Sequence, residues 1–227
     1  MPVPSTYGKF RSLVSSGTDI ERTSFFSDAI FAIAMTLLAV EIKVPEVPPE
    51  DLPGTLLEQG PQYFAYLLSF AVTGAYWLTH HRLFKLLRGY DANLQRINLL
   101  ALLFIALTGF ASGVLARYGD QPAGVVVYAV IISGMGLSYT GLWQYAWHRR
   151  LLGDDVDASL FSYLRARSIA VPLVFMASIP VAFLSPTAAE YLWLAVLVLE
   201  QALALLYRRR PREVNPDFGQ AAASKPA

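Results

Sequence analysis

The sequence predicts an all-α integral membrane protein with six transmembrane helices, and three observations predict it. Of 227 residues, 55% are hydrophobic and only 15% are charged, where a soluble domain carries about 25% charged residues. Mean hydropathy over the chain is +0.42. The apolar residues also fall in long blocks, and a bilayer core of about 30 Å asks for about 20 of them per helix. Lipid offers the backbone no hydrogen-bond partner, so such blocks must be helical. They lack the strict alternation of a membrane β-barrel.

Six blocks follow in order. Residues 1–21 are polar and mixed. They lack the short apolar stretch and cleavage site of a secretory signal and read as a cytoplasmic amino-terminal segment. The first block runs from Ser24 to Val44. The connection to Gly60 carries Pro45, Pro48, Pro49 and Pro53 among Glu46, Glu50, Asp51 and Glu58, and reads as an extended loop. The second block spans Tyr63 to Leu83, and the third spans Ile97 to Ala116. A tight turn over Tyr118 to Pro122 leads to the fourth block, Ala123 to Ala146. From His148 to Arg167 the chain is polar and reads as a longer connection. The fifth block, Ile169 to Leu184, contains Pro172 and Pro180, which should bend it. A turn at Ser185 to Thr187 precedes the sixth block, Ala188 to Tyr207. Residues 22–207 therefore form one membrane domain. Residues 208–227 begin basic, become small and polar, and read as a disordered cytoplasmic tail.

Orientation follows from lysine and arginine, which concentrate on cytoplasmic connections. Fourteen of them lie before the first block, in the second and fourth connections, and just after the sixth block over Arg208 to Arg212. The other three connections hold only Lys43 and Arg117. Both termini should face the cytoplasm, with the protein in the cell's inner (plasma) membrane. Tyr118, Tyr145, Trp147, Tyr191 and Trp193 stand near block ends, as an interfacial aromatic belt would.

Several function classes fall away. With no cysteine there is no disulfide or thiolate chemistry. A net charge of +1 gives no field for nucleic acid. No glycine-rich phosphate loop, HExxH or GxSxG marks an enzyme. The TVGYG loop of common potassium channels is also missing. His80 and His81 are adjacent, so on a helix they face different directions, and His148 has no cysteine to join it. No metal site or cofactor is expected.

The first block departs from a plain membrane anchor. Asp28 sits in an otherwise apolar helix with Arg22 near its mouth. A charge at a helix centre costs at least about 2.5–3.5 kcal/mol, so it should face protein or water. At 100° per residue, Ile33, Leu37 and Val40 share one stripe with Thr36 at its border, and Asp28 points about 140° away from Ile33. The stripe and Asp28 cannot face the same space. From geometry alone the stripe could line a passage, face lipid or pack on another helix. The second block supplies Trp77 and His80 at matching depth, so Arg22, Ser27, Asp28 and His80 should form a polar cluster that Asn98 can join. Gly109 with Gly113, and Gly134 with Ser138, are small pairs that let helices approach. Glu200 and Gln201 need protein or water neighbours.

The pattern of Arg22, Phe26, Ser27, Asp28, Phe31, Ala32, Ile33, Thr36, Leu37 and Leu38 resembles the signature of TMEM175-type potassium channels, specifically their short bacterial members. Trp77, His80 and Asn98 resemble later positions of that family. The resemblance implies a homotetramer in which four first helices line a central pore. It implies a constriction of apolar rings at Ile33, Leu37 and Val40, and a threonine ring at Thr36 associated with potassium preference. It implies that Arg22, Ser27, Asp28, Trp77, His80 and Asn98 form a structural polar network holding the first helix. Potassium would be the permeant ion, and some members also pass protons. Two other readings stand beside this one. A proton-coupled secondary transporter would use Asp28, His80 and Glu200. A non-conducting membrane assembly protein would need only the small-residue faces.

Overall fold

The computed structural model describes residues 20–208. Segments 1–21 and 208–227 lie outside it but for residues 20, 21 and 208. Every regular element among the described residues is helical, apart from one β-bridge joining Leu87 to Leu152. Helix α1 is Ile20–Leu38, continued by a 3-10 turn over Ala39–Glu41; α2 is Leu52–Glu58 and α3 is Gly60–Leu86. Helices α4 (Ala92–Ala106) and α5 (Thr108–Tyr118) follow, then α6 (Pro122–His148) and α7 (Ala158–Ala182). The last two are α8 (Pro186–Trp193) and α9 (Ala195–Arg208).

Five stretches are long and apolar enough to cross a bilayer: Ile20–Glu41, Ala92–Tyr118, Pro122–His148, Ala158–Ala182 and Pro186–Tyr207. Helix α3 has the length, at 27 residues, which reaches about 40 Å. Its polar residues dilute its hydropathy, yet four of them face inward. Ser69, Thr73, Tyr76 and His80 are buried, whereas Phe64, Leu67, Phe70 and Leu78 are exposed. That distribution suits a helix with lipid on its outer side.

The elements differ from the sequence reading in four places. The third block is a helix pair broken at Leu107, and the sixth is a pair broken at Leu194. The proline-rich connection holds the short helix α2, with Pro53 in its first turn, where a missing N–H costs nothing. The polar stretch before Ile169 is helical from Ala158 onward, so the connection after α6 is short. Asp157 explains that start: its carboxylate accepts from the Leu160 N–H at 2.7 Å and caps the helix.

Helix α6 is the central post. Of its membrane window 67% is buried, against 28% for α1. Tyr128, Ile132, Met135, Tyr139, Leu142 and Trp143 are all sealed. Gly134 lets α4 come close, because a Cβ there would strike the Phe104 ring. Helix α1 lies to one side, packed on α3, α4 and α5.

Asp91 ties the start of α4 to the end of α6. Its carboxylate accepts from the N–H groups of Asn93 and Leu94 at 3.1 and 2.9 Å. It also accepts from the Tyr145 hydroxyl at 2.7 Å and lies 3.7 Å from Arg149. Burial pushes the carboxyl up, but these donors and Arg149 outweigh burial and hold it below the ordinary value. A lowered carboxylate stabilises above the unfolded pKa of about 3.9 and loses that contribution as pH falls through the folded value. Asp91→Ala should therefore cost about 1–2 kcal/mol at pH 7, from one cap and one hydrogen bond. Thermal unfolding in detergent checks this. The gap between variant and parent should narrow as pH falls through the folded value.

Candidate functional site

Helix α1 has two faces with different chemistry. Thr23, Ser27, Phe31, Ala34 and Leu38 are buried against the subunit. Ile33, Leu37 and Val40 point away from it, at 58%, 54% and 61% exposure. Thr36 shares the exposed face, and its hydroxyl donates to the Ile33 carbonyl at 2.8 Å. The hydroxyl proton is thus committed to the backbone, and the oxygen lone pairs remain open toward the outer face.

The back of α1 is fastened by a chain of polar contacts. The Ser27 hydroxyl donates to the Thr23 carbonyl at 2.8 Å. The Asn98 amide of α4 donates to the Ser27 oxygen at 3.0 Å, and its carbonyl oxygen lies 3.2 Å from His80 Nε2 of α3. With the Asn98 oxygen as acceptor, His80 carries its proton on Nε2. His80 is fully buried, stacked on Phe84 at 4.1 Å between ring centroids, with Phe31 at 5.6 Å. Three helices are therefore joined through one amide.

Asp28 takes a separate partner. The Trp77 indole N–H donates to it at 2.9 Å. Adjacent residues on a helix point about 100° apart, so Ser27 reaches α4 while Asp28 reaches the flank of α3. The polar cluster expected from sequence divides into two: Ser27–Asn98–His80, and Asp28–Trp77. Arg22 borders a cleft lined also by Thr23, Phe26, Tyr90, Gln95, Asn98 and Leu99. Glu200 lies elsewhere, ion-paired with Arg167 of α7 at 2.9 Å, and Gln201 is exposed. Among the described residues no three His, Asp or Glu side chains gather as a metal site would require.

Sequence reasoning missed the rest of the inner face of α3. The Ser69 hydroxyl donates to the Tyr128 hydroxyl at 3.2 Å. Thr73, Tyr76 and Tyr139 are buried with side-chain oxygens that lack a partner, as does His80 Nδ1. Spacing carried a signal: Ser69, Thr73, Tyr76 and His80 recur at steps of four, three and four, one face of a helix.

A family model described as endosomal/lysosomal potassium channel TMEM175 matches residues 22–108. A potassium channel from Streptomyces collinus is 35% identical over 176 residues, covering 72% of this chain and 82% of the relative. A rat endosomal/lysosomal proton channel TMEM175 is 29% identical over 210 residues, which cover 83% of this chain but 42% of the relative. The crystal structure of a lysosomal potassium-selective channel TMEM175 homolog from Chamaesiphon minutus superposes with a TM-score of 0.71 at 28% identity. That match covers 84% of this chain and 99% of the other.

Asn98 is the joint of the network, so its loss should outweigh that of a surface-facing polar group. Asn98→Ala leaves His80 Nε2 buried without a partner. It also removes the donor to the Ser27 oxygen, which keeps only its own bond to the Thr23 carbonyl, for an expected cost of about 2–4 kcal/mol. Loss of thermal stability in detergent checks it, with Asn93→Ala, a change on the exposed face of α4, as the near-neutral comparison.

Proposed function

This chain is a member of the TMEM175 channel family, and from that premise we propose that it conducts potassium passively through a pore lined by α1. The family consists of ion channels, not enzymes. In this reading residues 22–207 form a six-span channel subunit, α3 included, and four copies surround a central axis. Both termini face the cytoplasm, in the cell's inner membrane. An even number of spans is what the lysine and arginine distribution requires. The name of the Streptomyces collinus relative supports potassium as the permeant ion. The name of the rat relative supports proton permeation as a second activity of the same pore.

One observation carries the mechanism. Helix α1 is fastened from behind, at Ser27 and Asp28, and turns Ile33, Thr36, Leu37 and Val40 away from its own subunit. Fourfold repetition around an axis would stack the Ile33, Leu37 and Val40 side chains as three apolar rings spanning about 10 Å. Such rings exclude water when narrow and pass hydrated ions when they widen. Thr36, between the first two rings, would supply an oxygen with open lone pairs to a cation. Arg22, Ser27, Asp28, Trp77, His80 and Asn98 act behind this surface as the frame that holds it. A coupled transporter fits less well: Glu200 is paired far along the chain with Arg167, and His80 is sealed from solvent.

Replacing Ile33 by serine should wet the narrowest ring and raise potassium flux into liposomes about tenfold. An unchanged flux would remove Ile33 as the constriction. Cross-linked protein should run as a tetramer.

A further inference from the structure

Away from α1, a cavity of about 120 Å³ opens between α3, α6, α7 and α9. Its walls combine two kinds of chemistry. Leu78, Leu164 and Val171 are apolar, while Arg82, Arg167 and Glu200 are charged. Arg167 spends its Nε and one terminal nitrogen on Glu200, at 3.4 and 2.9 Å, and also hydrogen-bonds Tyr163. Arg82 is exposed and makes no ion pair among the described residues. Two guanidinium groups therefore face one carboxylate.

The same wall contains unsatisfied donors. Tyr76 and Tyr139 both line the cavity, both are more than nine-tenths buried, and neither hydroxyl has a partner. Both oxygens are closed even to water, so they lie behind the cavity surface and a guest is held by the charged groups instead. Pro172 adds an inequality of a different kind. Its ring nitrogen cannot donate to the Ser168 carbonyl, four residues earlier, and Ser168 also lines the cavity.

Depth identifies the guest. Arg82 lies one turn from the end of α3, at Leu86. Arg167 lies just before the apolar half of α7, and Glu200 lies two turns from the end of α9. These positions put the charges at headgroup level and Leu78 and Val171 one turn deeper, at acyl-chain level, on the side assigned above to the cytoplasm. Basic pockets between transmembrane helices on that side suit anionic lipid headgroups.

We propose that this cavity is a binding site for an anionic phospholipid of the cytoplasmic leaflet, its phosphate held by Arg82 and Arg167. The site rests on the proposed orientation and not on conduction.

Native mass spectrometry of the purified protein tests it, with phosphatidylglycerol and phosphatidylcholine of matched chains and with inorganic phosphate. Phosphatidylglycerol should bind in preference to phosphatidylcholine, and inorganic phosphate alone should not compete at millimolar concentration. Arg82→Gln should weaken phosphatidylglycerol about five- to tenfold. Lys85→Gln, exposed at the same end but outside the cavity, should change it little. Equal binding of the two lipids, or equal losses in both variants, overturns the site. Full competition by phosphate overturns the lipid as its occupant. Potassium flux of the same preparations in phosphatidylcholine liposomes reads the channel separately, so either proposal can fail alone.

Discussion

The architecture depends on one amide. Asn98 accepts from His80 and donates to Ser27, at 3.2 and 3.0 Å, inside a region closed to solvent. Water cannot replace either bond there, and hydrocarbon cannot satisfy the groups if they separate. The contact therefore fixes both the distance and the rotation of α1 relative to α3 and α4. Rotation is the consequential part. A helix turned by one residue would swing Ile33 and Leu37 by about 100° and bring Asp28 to another surface. A buried polar joint sets this orientation more sharply than apolar packing alone, because its geometry tolerates little slip.

Around that joint the membrane reverses the usual distribution of residues. Helix α3 keeps Ser69, Thr73, Tyr76 and His80 inside and shows Leu67, Phe70 and Leu78 outside. Helix α1 follows a related plan, with hydroxyls behind and aliphatic side chains in front. Yet the aliphatic front of α1 includes Thr36 and lies away from the side on which Ser27 and Asp28 are bonded. In the channel reading that front meets its own copies across an axis. The central post α6 then serves as the rigid wall against which the joint is held, with Tyr139 packed against both His80 and Tyr76.

The membrane class and the two faces of α1 were legible in the sequence because they are local. Trp77 and Asn98 bond α1 residues 49 and 71 positions away, and with His80 they were suggested only by depth and by the family resemblance. Long apolar blocks report lipid directly, and the 3.6-residue period separates Asp28 from Ile33 without a structure. What depended on distant parts of the chain was not legible. Asp28 and His80 looked like members of one cluster, and only the positions of α3 and α4 assign Trp77 to one and Asn98 to the other. Arg167 and Glu200 are 33 positions apart, and nothing local pairs them. The helical stretch before Ile169 was hidden because its residues are polar, and hydropathy cannot see a helix continuing into water. The breaks at Leu107 and Leu194 carry no proline or glycine at the break itself, so no local punctuation marked them.

The central claim is that the front of α1 meets an ion path. The chain has no cysteine, so a single Ile33→Cys variant offers one thiol and no background. In proteoliposomes, a water-soluble thiol reagent should react at that position and shut down potassium flux, and a reducing agent should restore it when the adduct is a mixed disulfide. Flux that persists unaltered while the thiol is shown to be modified, or a thiol reached only by lipid-soluble reagents, would contradict the account.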